Sequence, residues 1–540
     1  MLVELARLAS FVILLPCLYL VLAIIKRLSY PLFSPLRDLP GPKSFNVFLG
    51  VLKDLKVKDI ERYFETYGKV MKWPVFLYEE ALVTTDTRAI GHILSHSYEY
   101  QRPERGRFLL SELLGNGILV TEGDHHKKQR RAMNPSFGPS TIRALTPIFF
   151  QKANQLRDIW TAELLTKGPQ TMDVLSWISR ATLDIIGLAG FDYRFDALTE
   201  GEETNELSKA FSTLFRGANT VKRQFRILDL LRSTFPVARY LPSSRPPEFV
   251  LAKETMNRIG RELLHKRKVG GQGDKEKGTA LPESVKHDLR GRDLLSVLVK
   301  ANMDVSLPDN QRLSDEEVLS QVPTFLIAGH ETTSNELSWC LLTLAQYPNI
   351  QKRLREELLT IPSDEPTMDE LNALPFLDAV VRETMRLHGV VPFTNRKSMQ
   401  DDVIPFAEPF VDKKGVVRTE LRIKKGQLVF LPASGINKDK TLWGQDAYSF
   451  NPDRWFNLPE AVNSIPGVWG HLMTFHGGAK SCIGYRFAII EMKALLFALI
   501  RKFTFTLSIP IEEFEEPAFG ISRPVLKGSK PCLPLDISLA

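Results

Sequence analysis

Between Phe475 and Gly484 the chain reads Phe-His-Gly-Gly-Ala-Lys-Ser-Cys-Ile-Gly, with glycines 477, 478 and 484 crowded around Cys482. Glycine lets a backbone turn tightly or approach another group closely, so a large group is expected against this loop. Tyr485 to Leu499 follows as a long apolar helix carrying Glu491 and Lys493, which puts Cys482 at a helix N-terminus. Unpaired N–H groups there favour a thiolate over a thiol. A thiolate in a Gly-rich loop is a candidate soft metal ligand, and a single thiolate is one way of holding haem iron. The alternative for a lone cysteine is a buried free thiol in a helix cap.

The segment resembles the haem-binding signature of the cytochrome P450 monooxygenases, Phe-x-x-Gly-x-Arg-x-Cys-x-Gly. Phe475, Gly478 and Cys482 stand in their places, and Lys480 replaces the usual Arg. The resemblance implies haem b (iron protoporphyrin IX) as cofactor, with Cys482 as axial ligand of the iron. It also implies a mainly α fold with a small β region.

A second element points the same way. Ser314-Asp315-Glu316-Glu317 is a capping box, and a helical pattern runs from it to about Tyr347, with Pro323 expected to kink it. Further along lies Ala328-Gly329-His330-Glu331-Thr332-Thr333, whose small residues would let something flat approach the backbone. Thr332 shares the face of Ala328, while His330 lies off it and reads as packing. Glu331-Thr332 resembles the acid-alcohol pair of the family's oxygen-binding helix. Dioxygen reduction needs protons, hence a hydroxyl that donates beside an acid that relays. A helical threonine otherwise bonds back to the preceding turn.

Three further motifs extend the resemblance. On the basic stretch Gly123 to Phe137, Arg130 matches the Arg of a Trp-x-x-x-Arg that holds a haem propionate, with His126 in the Trp position. The bland reading of Lys127 and Lys128 is a solvated basic face, and both could dock an acidic electron donor. Glu383 and Arg386 match a buried Glu-x-x-Arg pair joined by Arg454 of Phe450-Asn451-Pro452-Asp453-Arg454-Trp455, a structural set. Val390 to Phe393 reads as a strand entering the core, and Arg396 pairs by resemblance with a propionate. Arg130, Arg396 and Lys480 form a set matched in charge to anionic propionates. Val403 to Pro432 carries strand signals broken by Lys413-Lys414-Gly415. Phe514 to Lys527 is a loop that in relatives dips into the pocket with Phe519 and Ile521.

The N-terminal region bears on location. Leu8 to Ile25 is an uncharged run of 18 residues, about 27 Å as a helix, close to the thickness of a hydrocarbon core. It is expected to be a single transmembrane helix; a cleaved signal peptide is the alternative. Lys26, Arg27, Arg37 and Lys43 place the body in the cytosol, with the anchor in the endoplasmic reticulum. The expected domains are 1–27 anchor, 28–45 Pro-rich hinge and 46–540 haem-thiolate monooxygenase body. Within the body, 269–291 reads as a surface loop.

Four dispersed cysteines with no C-x-x-C pair disfavour both a zinc site and a disulfide framework. The net charge of +7 comes with no nucleic-acid-binding motif, so membrane lipid or an acidic protein is the expected partner rather than nucleic acid. The chain contains no dinucleotide-binding fingerprint. The resemblance therefore implies electrons from NADPH-cytochrome P450 reductase, with cytochrome b5 as a further donor, and oxidation of a small lipophilic substrate by O2. Details of the sequence resemble fungal microsomal members, whose substrates include terpenoids, sterols, polyketides and foreign aromatics. A haem-thiolate isomerase, a peroxide-driven enzyme and a non-catalytic haem carrier are the alternatives.

Overall fold

The computed structural model describes residues 33–540 outside 45, 47–48, 54, 77–78, 202–204, 220–231, 234–235, 241–244, 270–292, 305, 307, 309–310 and 519, and before residue 33 only Leu18, Val21, Leu22 and Ile25. The expected anchor and the 269–291 loop thus lie almost wholly outside the described residues, as does Phe519. Those four early residues are helical and more or less half exposed.

The body is mainly helical with a small β region. Its spine is the helix Asp315–Gln346, closed at its start by the reciprocal bonds of Ser314 and Glu317 and at its end by Tyr347 ahead of Pro348. Pro323 lies inside it without ending it, because packing holds the turns on either side. The apolar helix Val174–Phe191 lies against this spine; it is long enough to cross a membrane but 78% buried, as expected for a core helix. The helix Pro139–Lys167 packs on Tyr485–Ile500 through Phe149 against Phe487 and Phe150 against Phe497. Both are edge-to-face contacts, the favoured geometry for buried rings.

The strands are β1 Val70–Pro74, β2 Glu80–Thr84, β3 Tyr100–Gln101, β4 Gln170–Asp173, β5 Thr394–Ser398, β6 Asp402–Val411, β7 Val417–Ile423, β8 Leu428–Leu431, β9 Phe503–Leu507, β10 Phe514–Glu515, β11 Val525–Leu526 and β12 Pro534–Leu539. The main sheet runs β1-β2-β8-β5-β3, with β4-β12-β9 beside the long helices and β6-β7 as a separate hairpin. Only β2 and β8 pair in parallel among the described residues; the rest are antiparallel. The strand expected at Val390 starts later, at Thr394: residues 390–393 form a bend whose backbone is taken up by Ser522, Ser434 and the Glu336 carboxylate. Leu36 and Leu39, in the expected hinge, are buried in the main core.

Candidate active site

The cysteine loop is held from both ends. The Cys482 amide donates to the Phe475 carbonyl (2.9 Å), the Ser481 amide to Gly478 (3.1 Å), and the buried Phe475 ring lies between Trp469 and Tyr485. Gly478 takes a left-handed φ of +69°, and a side chain at 477 or 478 would strike the carbonyl of Pro466 or Leu94. Close approach does explain these glycines, but what approaches is the protein's own backbone. Cys482 is solvent-accessible. Burial by the surrounding protein nevertheless pushes its thiol up, against the Gly484 N–H and the positive charge of Arg130. The helix terminus therefore does not by itself yield a thiolate as the sequence suggested; a bound metal cation would.

Positive charge gathers around this loop. Arg130, on the helix Gly123–Met133, donates to the Ser481 carbonyl (2.6 Å) and hydroxyl (3.3 Å). Arg396 on β5 is 3% exposed, and its guanidinium donates to the Thr394 hydroxyl and Asn395 carbonyl of its own strand. Burial and the nearby Arg102 lower its pKa to about 10. Lys480 donates to the Thr121 carbonyl and pairs with Glu122, yet burial still lowers it to about 8. His126 is buried and is pushed down to about 3 by desolvation together with Lys480, Arg102, Arg130 and Arg396. His476 is likewise pushed down to about 3, by burial, Arg396 and Arg102, and its buried Nδ1 has no hydrogen-bond partner among the described residues. Sequence reasoning missed Arg102, Glu122 and His476. The signal for His476 was its place inside the Gly-rich loop; Arg102 and Glu122 carried none, because only the fold brings their segments together through the Arg102 amide and the Glu122 carboxylate (3.1 Å).

Among the described residues, Arg102, Arg130, Arg396 and Lys480 thus gather around His126, with Glu122 beside three of them, an excess of positive charge that costs free energy unless anions arrive. Two propionates would supply them, and the accessible Cys482 sulfur adds an iron ligand. The residues present fit haem b.

Ile327, Ala328, Gly329, Glu331 and Thr332 are partly exposed in the middle of the helix Asp315–Gln346, between buried runs at 321–326 and 333–345. Glu331 and Thr332 are on that partly exposed stretch together. Thr332 Oγ1 donates to the Ala328 carbonyl (2.6 Å). A Cβ at Gly329 would meet Ile186 Cδ1 at 2.7 Å, so its smallness brings two core helices together. His330 is packing, bonded to Ser179 Oγ (2.8 Å).

The Glu383–Arg386 pair is fully buried and bidentate, at 2.8 and 2.9 Å. Arg386 also donates to the carbonyls of Asn437, Ala447 and Ser449. The Trp455 indole donates to Glu383, and Arg454 approaches it at 3.5 Å while holding Asp446. Every partner is structural, in line with the expectation.

A family profile described as Cytochrome P450 matches residues 39–528. Among similar curated proteins, Cytochrome P450 monooxygenase 205 of Postia placenta is 48% identical over 516 residues, covering 93% of each chain. Cytochrome P450 monooxygenase 128 of the same fungus is 45% identical, covering 92% of this chain and 91% of its own. Ganoderic acid synthetase CYP5150L8 of Ganoderma lucidum is 34% identical, covering 91% and 90%.

Proposed function

The chain belongs to the cytochrome P450 family, a monooxygenase with haem b as cofactor, and we propose that it oxidises a small lipophilic metabolite while anchored to the endoplasmic reticulum membrane. Electrons come from NADPH through a separate reductase, with cytochrome b5 as a further donor. The substrate class is that of fungal secondary metabolism, terpenoid, sterol or polyketide; one relative is named a ganoderic acid synthetase. The domain plan is an anchor at 1–27, a Pro-rich connector and a catalytic body.

The observation that carries the reading is the accessible Cys482 beside an excess of buried positive charge. When bound, haem b supplies the redox chemistry that activates dioxygen. Cys482 would bind its iron through sulfur. Arg396 and Lys480 would neutralise its propionates, with His126 as a neutral N–H donor. Arg130 orients the Ser481 backbone and holds positive charge near the sulfur. Phe475 and Gly478 shape the loop. Thr332 and Glu331 hold and move protons at Oγ1 and the carboxylate. To donate outward, the threonine hydroxyl must leave the Ala328 carbonyl.

A second reading, an isomerase or peroxide-driven haem-thiolate enzyme, is favoured by that same Thr332–Ala328 bond, which leaves the hydroxyl committed to the helix. Thr332→Ala separates the two: in membranes supplied with reductase and NADPH, the monooxygenase loses coupling and releases more peroxide. Unchanged coupling contradicts it.

A further inference from the structure

One turn beyond Thr332, the helix Asp315–Gln346 carries a second acid that the proposed chemistry leaves unused. Glu336 is 3% exposed; its Oε2 accepts from the Val390 amide (3.3 Å), and its buried Oε1 has no hydrogen-bond partner among the described residues. At a spacing of four it shares a helix face with Thr332. Trp339, a further three residues on, stacks its ring on His388 at 4.6 Å between centroids and 5° from parallel. Two side chains of the spine therefore hold the turn 388–390.

That turn holds a third segment in its own right. His388 Nδ1 lies 3.2 Å from Glu516 Oε2, and the Ser522 amide donates to the Val390 carbonyl (2.8 Å). Val391 and Ile521, next in sequence to these ties, are partly exposed apolar side chains packed on the main core. Helix, turn and loop are thus strapped together, each fastened to the next at two points.

Charge decides in what form Glu336 takes part. Burial pushes its carboxyl up to about 8; the Val390 amide opposes this, and the charge of Glu516 adds to it. Burial also raises Glu516, but His388 and Lys438 outweigh it and hold that carboxyl below its ordinary range. Cys340, the other titratable neighbour, is pushed up to about 12 by burial and stays neutral. An ionised Glu336 would therefore set a second negative charge beside Glu516 in the interior, which is costly.

We infer that Glu336 is a positioning residue: through the Val390 amide it sets the turn 388–390, and with it Val391 and Ile521, against the helix that carries Thr332. It acts as a neutral acid. The closed strap keeps a proton between the ordinary carboxyl value of 4.5 and about 8 that an opened strap, with Glu336 in water, releases. Closure therefore weakens as pH rises through that window.

The test is hydrogen exchange on the haem-loaded full chain at pH 6 and pH 8, read by mass spectrometry and corrected for the intrinsic dependence of exchange on pH. Protection of peptides containing Val390 and Ser522 is expected to fall about fifty-fold between the two. Glu336→Gln keeps an acceptor for the Val390 amide and cannot ionise, so its protection should be the same at both. Glu336→Leu leaves that amide unpaired and should lose protection at both. The reduced, carbon monoxide-bound spectrum counts folded, haem-loaded molecules in each sample. A fall with pH that persists in Glu336→Gln assigns the effect to another group, His388 first, and overturns the inference. Equal wild-type protection at both pH values, or a Leu variant protected like the wild type, overturns it as well.

Discussion

At Cys482, burial raises the thiol while Arg130 and the Gly484 amide lower it, and burial prevails. The surrounding basic cluster turns the same conflict into an acid sensitivity. His126 and His476 are each held near 3, against about 6.5 in an unfolded chain. Between those values the unfolded state binds more protons, so stability falls as pH falls through that window. For the haem-free chain the loss is about 2 kcal/mol per histidine at pH 5. Urea unfolding at pH 5 and 7.5 is expected to show it, and His126→Gln to remove its share; a pH-independent midpoint would count against the buried neutral imidazole. Cys482, Arg130, Arg396 and Lys480 were readable because each sits in a local motif. Arg102 was not, since its effect on Arg396 and His126 exists only once β3 and β5 pair.

At the level of elements, the capping box at Ser314 and the apolar helix after Cys482 were legible almost to the residue, because both are written in local pattern. The contact of Gly329 with Ile186 was not legible, because a glycine does not announce which neighbour it makes room for. Its substitution tests the packing. Gly329→Ala drives a methyl into Ile186 and is expected to cost about 1–3 kcal/mol. Ile186→Ala in the same chain should recover part of that cost, giving a measurable coupling energy in denaturant titrations; strictly additive losses would show that the helices do not meet there. The Glu383–Arg386 pair makes a sharper prediction. Glu383→Ala leaves Arg386 charged and fully buried, a loss of about 3–5 kcal/mol, so folded, haem-loaded protein should largely disappear at equal expression. Normal yield would place the pair outside the folding core.

For the whole molecule, the mainly α body with a small β region was implied by the family resemblance, whereas the placement of residues 36–39 was not. Leu36 and Leu39 read as hinge because prolines surround them, yet they lie in the main core, and Asp38 between them bonds to the hairpin turn. The fold brings the loop of Cys482 together with the basic residues near 102–130 and 396, and the proposed function adds the Glu331–Thr332 stretch to the same site. If they form one haem site, a single spectrum reports it. Reduced, carbon monoxide-bound protein is predicted to show the strongly red-shifted Soret band of thiolate ligation, and Cys482→His to move that band to the position of imidazole-ligated haem while haem stays bound. A red-shifted band that persists in the variant, or is missing from well-folded wild-type protein, contradicts Cys482 as the iron's ligand.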